Sequence, residues 1–172
     1  MTANTVKIPQ ADVLWDVARV AEAVARGVDT PDAIASYIGA KGPRQGHYYA
    51  QAARILGLLD GEAAPHQLRL TPYGRAFASY SRDSQRQALR RLLRDREPTR
   101  SVLAALAQGR ALDLPGVIAV LRQIAPLAES TARRRAQTIA AWLVSADLAR
   151  WADGRLAYQP TPPQHARFFR TV

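Results

Sequence analysis

From Val13 onward the apolar positions Leu14, Val17, Ala21, Val24 and Ala25 recur at helical spacing up to Gly27, a natural stop, and they predict a first helix. Thr30-Pro31-Asp32 supplies a hydroxyl cap, a proline at the first helical position and an acid in the first turn, opening a short helix that Gly39 ends. Gly42-Pro43 opens a third, with Tyr49, Ala52, Ala53 and Leu56 on one face and Gly57 beyond it. Leu58-Leu59 and residues 67–70 flank a polar tip at 60–66, the pattern of a β-hairpin. Thr71-Pro72 caps a helix to Tyr80, and Ser84 to Asp95 reads as another with Leu89, Leu92 and Leu93 inward.

Beyond Glu97-Pro98 the pattern starts again. Val102, Leu103 and Leu106 mark a helix stopped by Gly109, and Val117, Val120, Leu121 and Ile124 mark a second between Asp113 and Pro126. Glu129-Ser130 opens a longer third, with Ile139, Leu143 and Ala146 inward, followed by two strand-like pieces about Ala152-Asp153-Gly154. Sliding Tyr49, Ala53, Leu56 and Leu58 by 90 positions lands on Ile139, Leu143, Ala146 and Leu148. The expected fold is therefore mainly α with small β-hairpin wings, built as two tandem winged helix-turn-helix units joined by helices. Residues 11–80 form the first unit, 81–97 an arginine-rich connector helix and 98–160 the second unit. The tail, 161–172, with Phe168 and Phe169, is either disordered, a docking segment or the start of a further domain.

Composition narrows the function. A chain that is 48% hydrophobic and 22% charged can bury a core, which excludes wholesale disorder. With no cysteine, a thiolate zinc site, an iron-sulfur cluster and a cysteine nucleophile are all excluded. Apolar runs are too short to span a bilayer and the start has no secretory pattern, so a cytoplasmic, nucleoid-associated protein with no membrane partner is expected.

The net charge of +10 on 172 residues includes 22 arginines and only Lys7 and Lys41 as lysines. It is unevenly placed: residues 1–40 carry −2, 41–79 carry +3, 80–100 carry +4, 101–128 carry +1 and 129–172 carry +4. Clustering of this kind suggests a polyanion footprint rather than an even solubilising layer.

Residues 45–50, Gln-Gly-His-Tyr-Tyr-Ala, with Leu56-Gly57-Leu58 and residues 70–77, Leu-Thr-Pro-Tyr-Gly-Arg-Ala-Phe, resemble the winged-helix modules attached to bacterial restriction and anti-phage systems. Ser130-Thr131, Arg133-Arg134-Arg135, Thr138 and Trp142-Leu143 are similar to the second recognition helix of such modules. The resemblance implies double-stranded DNA binding, with a partner nuclease or fused nuclease domain outside this sequence. A transcriptional regulator and a tandem winged-helix protein-interaction module of a chromosome-associated complex are the competing readings.

If Tyr49 and its companions face inward, Arg44, Gln45, His47, Tyr48 and Gln51 lie at the start and on the outer face of the first recognition helix. Arginine reads guanine through two hydrogen bonds and glutamine reads adenine, so these residue types suit a major groove. In the second unit Ser130, Thr131, Arg133, Arg134 and Gln137 take the same place, while Arg135 either lies along the body or reaches a flanking phosphate. His66 and Arg69 on the first wing and Arg155 on the second are phosphate or minor-groove candidates. Arg82, Arg86, Arg90 and Arg94 form a stripe at four-residue spacing on the connector; Arg86 and Arg90 are its DNA candidates and a hydrated face is the alternative. Six to ten neutralised phosphates would lower affinity about 10³- to 10⁵-fold between 50 and 200 mM salt. No paired carboxylates with a following lysine, no nucleophile elbow and no phosphate-binding glycine loop occur, so neither enzymatic activity nor a cofactor or metal is expected.

Overall fold

Capping chemistry sets the helix boundaries. The computed structural model describes residues 5–61 and 66–160. In it α1 spans Leu14–Ala25, α2 Pro31–Ile38, α3 Pro43–Ile55 and α4 Pro72–Ser79, with α5 at Arg82–Asp95 and α6 at Thr99–Ala107. Helices α7 (Leu114–Ile124) and α8 (Glu129–Ser145) follow, then strands β1 (Ala149–Ala152) and β2 (Arg155–Tyr158). The protein is mainly helical with one small antiparallel sheet among the described residues.

The Thr30 hydroxyl accepts from the Ala33 amide, Thr71 from Gly74, Ser81 from Ser84 and the Asp113 carboxylate from Gly116, each satisfying an amide that the first helical turn leaves open. Gly39 ends α2 at φ 71°, in the left-handed region. The Glu97 carboxylate receives the Ser101 amide and hydroxyl and the Arg100 guanidinium at the start of α6. Burial alone would raise its pKa, but the Ser101 and Arg100 hydrogen bonds and the Arg100 charge outweigh it and hold the group below its ordinary value. This contribution to stability is complete above the normal carboxylate pKa and is lost as pH falls through the lowered one. Glu97→Gln should therefore flatten the acid limb of a plot of unfolding midpoint against pH. An unchanged slope would show that the cap contributes nothing.

Close helix approach depends on small residues. Val17, Ala18, Ala21 and Ala23 of α1 are fully buried, and α1 packs against α2, α3, α4 and α8. Gly46 lets α3 cross α2, since a Cβ there would lie 1.9 Å from the Pro31 carbonyl oxygen. Alanine favours a helix by only about 1 kcal/mol over glycine, less than the 1–3 kcal/mol typical of overpacking against backbone. Because the clash is with backbone, the cost lies at the upper end of that range, and Gly46→Ala should lose about 2 kcal/mol net in urea unfolding.

The second ribbon forms as expected. Ala149 pairs with Tyr158 and Ala152 with Arg155, closed by Asp153 and Gly154, both at positive φ as a two-residue hairpin turn requires. The first pairs more sparsely among the described residues, where it forms no ladder of strands. Its arms make one bridge, Leu59 to Leu70, supported by bonds from the Asp60 amide to Arg69 and from the Thr71 amide to Leu58. The second arm is also drawn elsewhere, because the Leu68 amide donates to the Asp29 carbonyl just before α2. The other half contains the same feature: Leu112, just before α7, forms a bridge with Leu156 of β2. The pattern of helix, bridging segment, two helices and ribbon thus occurs twice. The ribbon tip at 62–65 and the tail at 161–172 lie outside the described residues.

The halves share one apolar core. Its largest fully buried side chain is Trp142 of α8, whose indole nitrogen donates to the Ala11 carbonyl at 2.7 Å. Thr138 bonds Asp12 and Arg135 bonds the Ile8 carbonyl, so one face of α8 holds the segment that precedes α1. The connector helix α5 touches both halves: Gln85 donates to Glu22 and the Phe77 carbonyl, and Arg90 reaches the end of α8.

Candidate nucleic-acid interface

The middle of α3 and the first two turns of α8 line one cleft. The amide-rich first turn of α3 contains no acid. Arg44 is exposed there and its Nε donates to the Tyr48 hydroxyl at 2.7 Å, with the guanidinium 5.5 Å from the ring centre. This bond fixes two long side chains in one arrangement and leaves the other guanidinium nitrogens outward. His47 and Gln51 are exposed on the same helix and Gln45 and Tyr48 are half-buried, while Tyr49, Ala50, Ala52 and Ala53 are buried. On α8, Ala132 and Ala136 point inward, leaving Ser130, Arg133, Arg134 and Gln137 exposed and Thr131 half-buried. Glu129, the one acid of that first turn, is paired with Arg122.

Tyr48 and Gln51 from α3, and Thr131 and Arg135 from α8, line a cleft of about 520 Å³ whose floor includes Lys7, Ile8 and Gln10 of the N-terminal segment. A space of that volume is on the order of 10 Å across, well short of the roughly 34 Å between successive turns of a major groove. Tyr48 and Gln51 of α3 and Thr131 and Arg135 of α8 thus share one cleft. Sequence reasoning treated them as independent because it had no signal that residues 5–10 lie between them; the early Lys7 was the sole cue.

Several arginines have internal roles. Arg19 donates to the Tyr37 and Ile38 carbonyls at the end of α2, Arg96 to the Ile55 carbonyl at the end of α3, and Arg90 to the Ala146 carbonyl after α8. Each guanidinium meets the negative end of a helix dipole and its open carbonyls, a better arrangement than like charges along one stripe. Arg82 stacks on Trp15 at 3.3 Å from the ring centre, so this half-buried tryptophan is a cation platform as well as part of the core edge. Arg86 lies 6.0 Å from that ring and 4.0 Å from Asp147. Within the α5 stripe Arg82 and Arg86 thus rest against Trp15, and Arg90, a DNA candidate from the sequence, is engaged at the end of α8. His66 and Arg69 on the first ribbon and Arg155 on β2 are exposed and line neither the cleft nor its neighbour.

No group of three or more metal-ligating side chains occurs among the described residues, and none of their helices is long and apolar enough to cross a membrane. The model of one family, described as a domain of unknown function (DUF7226), matches residues 24–145, from the end of α1 to the last turn of α8. No curated protein and no solved structure matches the chain.

Proposed function

We propose that this chain, which belongs to the DUF7226 family, binds double-stranded DNA through the faces of α3 and α8 that share one cleft. The observation that supports this reading is the shared cleft, which brings Tyr48 and Gln51 of α3 together with Thr131 and Arg135 of α8, the same two helices carrying exposed Arg44, Arg133 and Arg134. In this reading each half is a winged helix-turn-helix unit. The Leu68–Asp29 hydrogen bond and the Leu112–Leu156 bridge, each tying a ribbon to the segment before a helix, support that architecture over an irregular helical bundle. The composite surface addresses one groove passage and its flanking phosphates, with Arg44, Gln51 and Arg134 as the base-reading candidates.

The internal engagement of Arg19, Arg90, Arg96 and Arg135 reduces the expected salt effect. Apart from the base-reading candidates, Lys7, Lys41 and Arg133 leave about three phosphate contacts, giving a slope of log affinity on log salt of about −2.7 and a loss of about 40-fold between 50 and 200 mM. Fluorescence anisotropy with a labelled duplex at graded salt measures this. An affinity independent of salt would eliminate phosphate contact as the basis of binding. Membership of a restriction or anti-phage system rests on the resemblance of residues 45–50, 70–77 and 130–143. Duplex selection from methylated and unmethylated random pools tests whether base modification is read.

A further inference from the structure

Two of the four exposed large apolar side chains among the described residues, Trp151 and Tyr158, lie on the β1–β2 ribbon, at 47% and 36% exposure. The pairing register puts them on one face: Trp151 stands opposite Leu156 and Tyr158 opposite Ala149, and residues two apart on a strand point the same way. Leu156 and Ala149 are buried and seat that face against the body. The two rings form its open rim, as diagonal cross-strand neighbours about 7–8 Å apart at the backbone. Arg150 and Arg155 are exposed on the other face, opposite Ala157 and Ala152.

Elsewhere in the fold arginines cover such rings: Arg19 lies over Tyr37, Arg44 over Tyr48 and Arg82 over Trp15. Among the described residues no arginine lies over Trp151, and no ring stacks on it or on Tyr158. The arginines of the ribbon point away from the indole and leave its surface open, yet their long side chains reach the margins of a ribbon only about 5 Å between strand axes. Of the acids nearby, Asp147 faces Arg86 at 4.0 Å and Asp153 sits in the turn. Open rings bordered by cations are the chemistry that holds unpaired bases, since any base stacks on an aromatic face and guanidinium groups meet the flanking phosphates. A protein partner fits less well. A tryptophan and a tyrosine offer about 150–250 Å² each even when fully covered, short of the roughly 800 Å² a side of a stable protein interface.

We propose that the Trp151–Tyr158 face of the ribbon stacks on unpaired bases of a DNA strand, so that the protein prefers duplexes with a single-stranded extension. The ligand class rests on the DNA reading above, while the surface lies outside the cleft on which that reading is built.

Fluorescence anisotropy of the full chain compares a blunt duplex with the same duplex extended by an oligothymidylate strand, and tryptophan emission is read in parallel. The extended duplex should bind more tightly and quench the emission. Trp151→Ala should remove that preference, weakening the extended duplex by about 5- to 150-fold, and abolish most of the quenching. It should leave the blunt duplex and the unfolding midpoint unchanged, because the exposed ring is not part of the core. Trp151→Lys separates stacking from charge: it should bind the extended duplex as weakly as Trp151→Ala does, and Trp151→Phe should recover part of the loss. An extension preference that survives in Trp151→Ala, a Trp151→Lys protein that binds as tightly as the parent, or a parent that binds both duplexes equally would overturn the proposal. So would a dimer in sedimentation that depends on Trp151, since a second copy would then cover the face. A parent that binds the extended but not the blunt duplex would support the ribbon and contradict the cleft.

Discussion

Replacing Arg133 and Arg134 together by glutamate is expected to lower the affinity for duplex DNA by at least about 100-fold. Both side chains are exposed on the first two turns of α8, beside the cleft that α3 shares. Each lost contact is worth about 1–3 kcal/mol when it reaches a base, and reversal adds repulsion from the phosphates. Two such losses, about 2–6 kcal/mol together, multiply to about 30-fold or more, and the added repulsion carries the effect past 100-fold. Because neither arginine has a role in the core, the unfolding midpoint should stay near that of the parent, so a weakened shift in gel mobility cannot be blamed on unfolding. Undiminished binding by the double variant would remove α8 from the interface.

Trp142→Ala should be the most damaging single substitution. The indole is fully buried in the shared core and is bonded to the Ala11 carbonyl, so truncation opens a cavity and orphans that acceptor. Losses of about 3–5 kcal/mol are typical of such cavities, a large part of the 5–15 kcal/mol that stabilises an ordinary domain. Trp142→Phe retains much of the ring but not the donor, and should lose about 1–3 kcal/mol. Urea unfolding of the two variants separates the packing from the hydrogen bond. A Trp142→Ala protein as stable as the parent would mean that the N-terminal segment is not held by α8.

The local chemistry of the helices was readable in the sequence. Thr30-Pro31, Thr71-Pro72 and Asp113 with Pro115 all act as the starts their residue types imply, because a cap involves neighbours three residues apart. The inward positions Tyr49, Ala53, Leu56, Ile139 and Leu143 are buried as their spacing required. The destinations of the arginines were not readable. Arg90 finds a carbonyl 56 positions away and Arg135 one 127 positions away, and periodicity contains no information about such pairings.

The sparse pairing of the first ribbon was hidden for a similar reason. Leu68 satisfies its amide on Asp29, a partner invisible in the 58–70 pattern, and among the described residues one bridge joins the arms. Outer-face positions on α3 and α8 were legible from their helical phase, whereas their convergence on one cleft depends on residues 5–12 crossing between the halves.

Photo-crosslinking on a selected duplex decides whether α3 and α8 act as one surface. A benzophenone side chain placed at Tyr48 in one preparation and at Thr131 in another should mark nucleotides within about five base pairs of each other, half a helical turn. Marks a full turn or more apart, or no mark from either position, would contradict it.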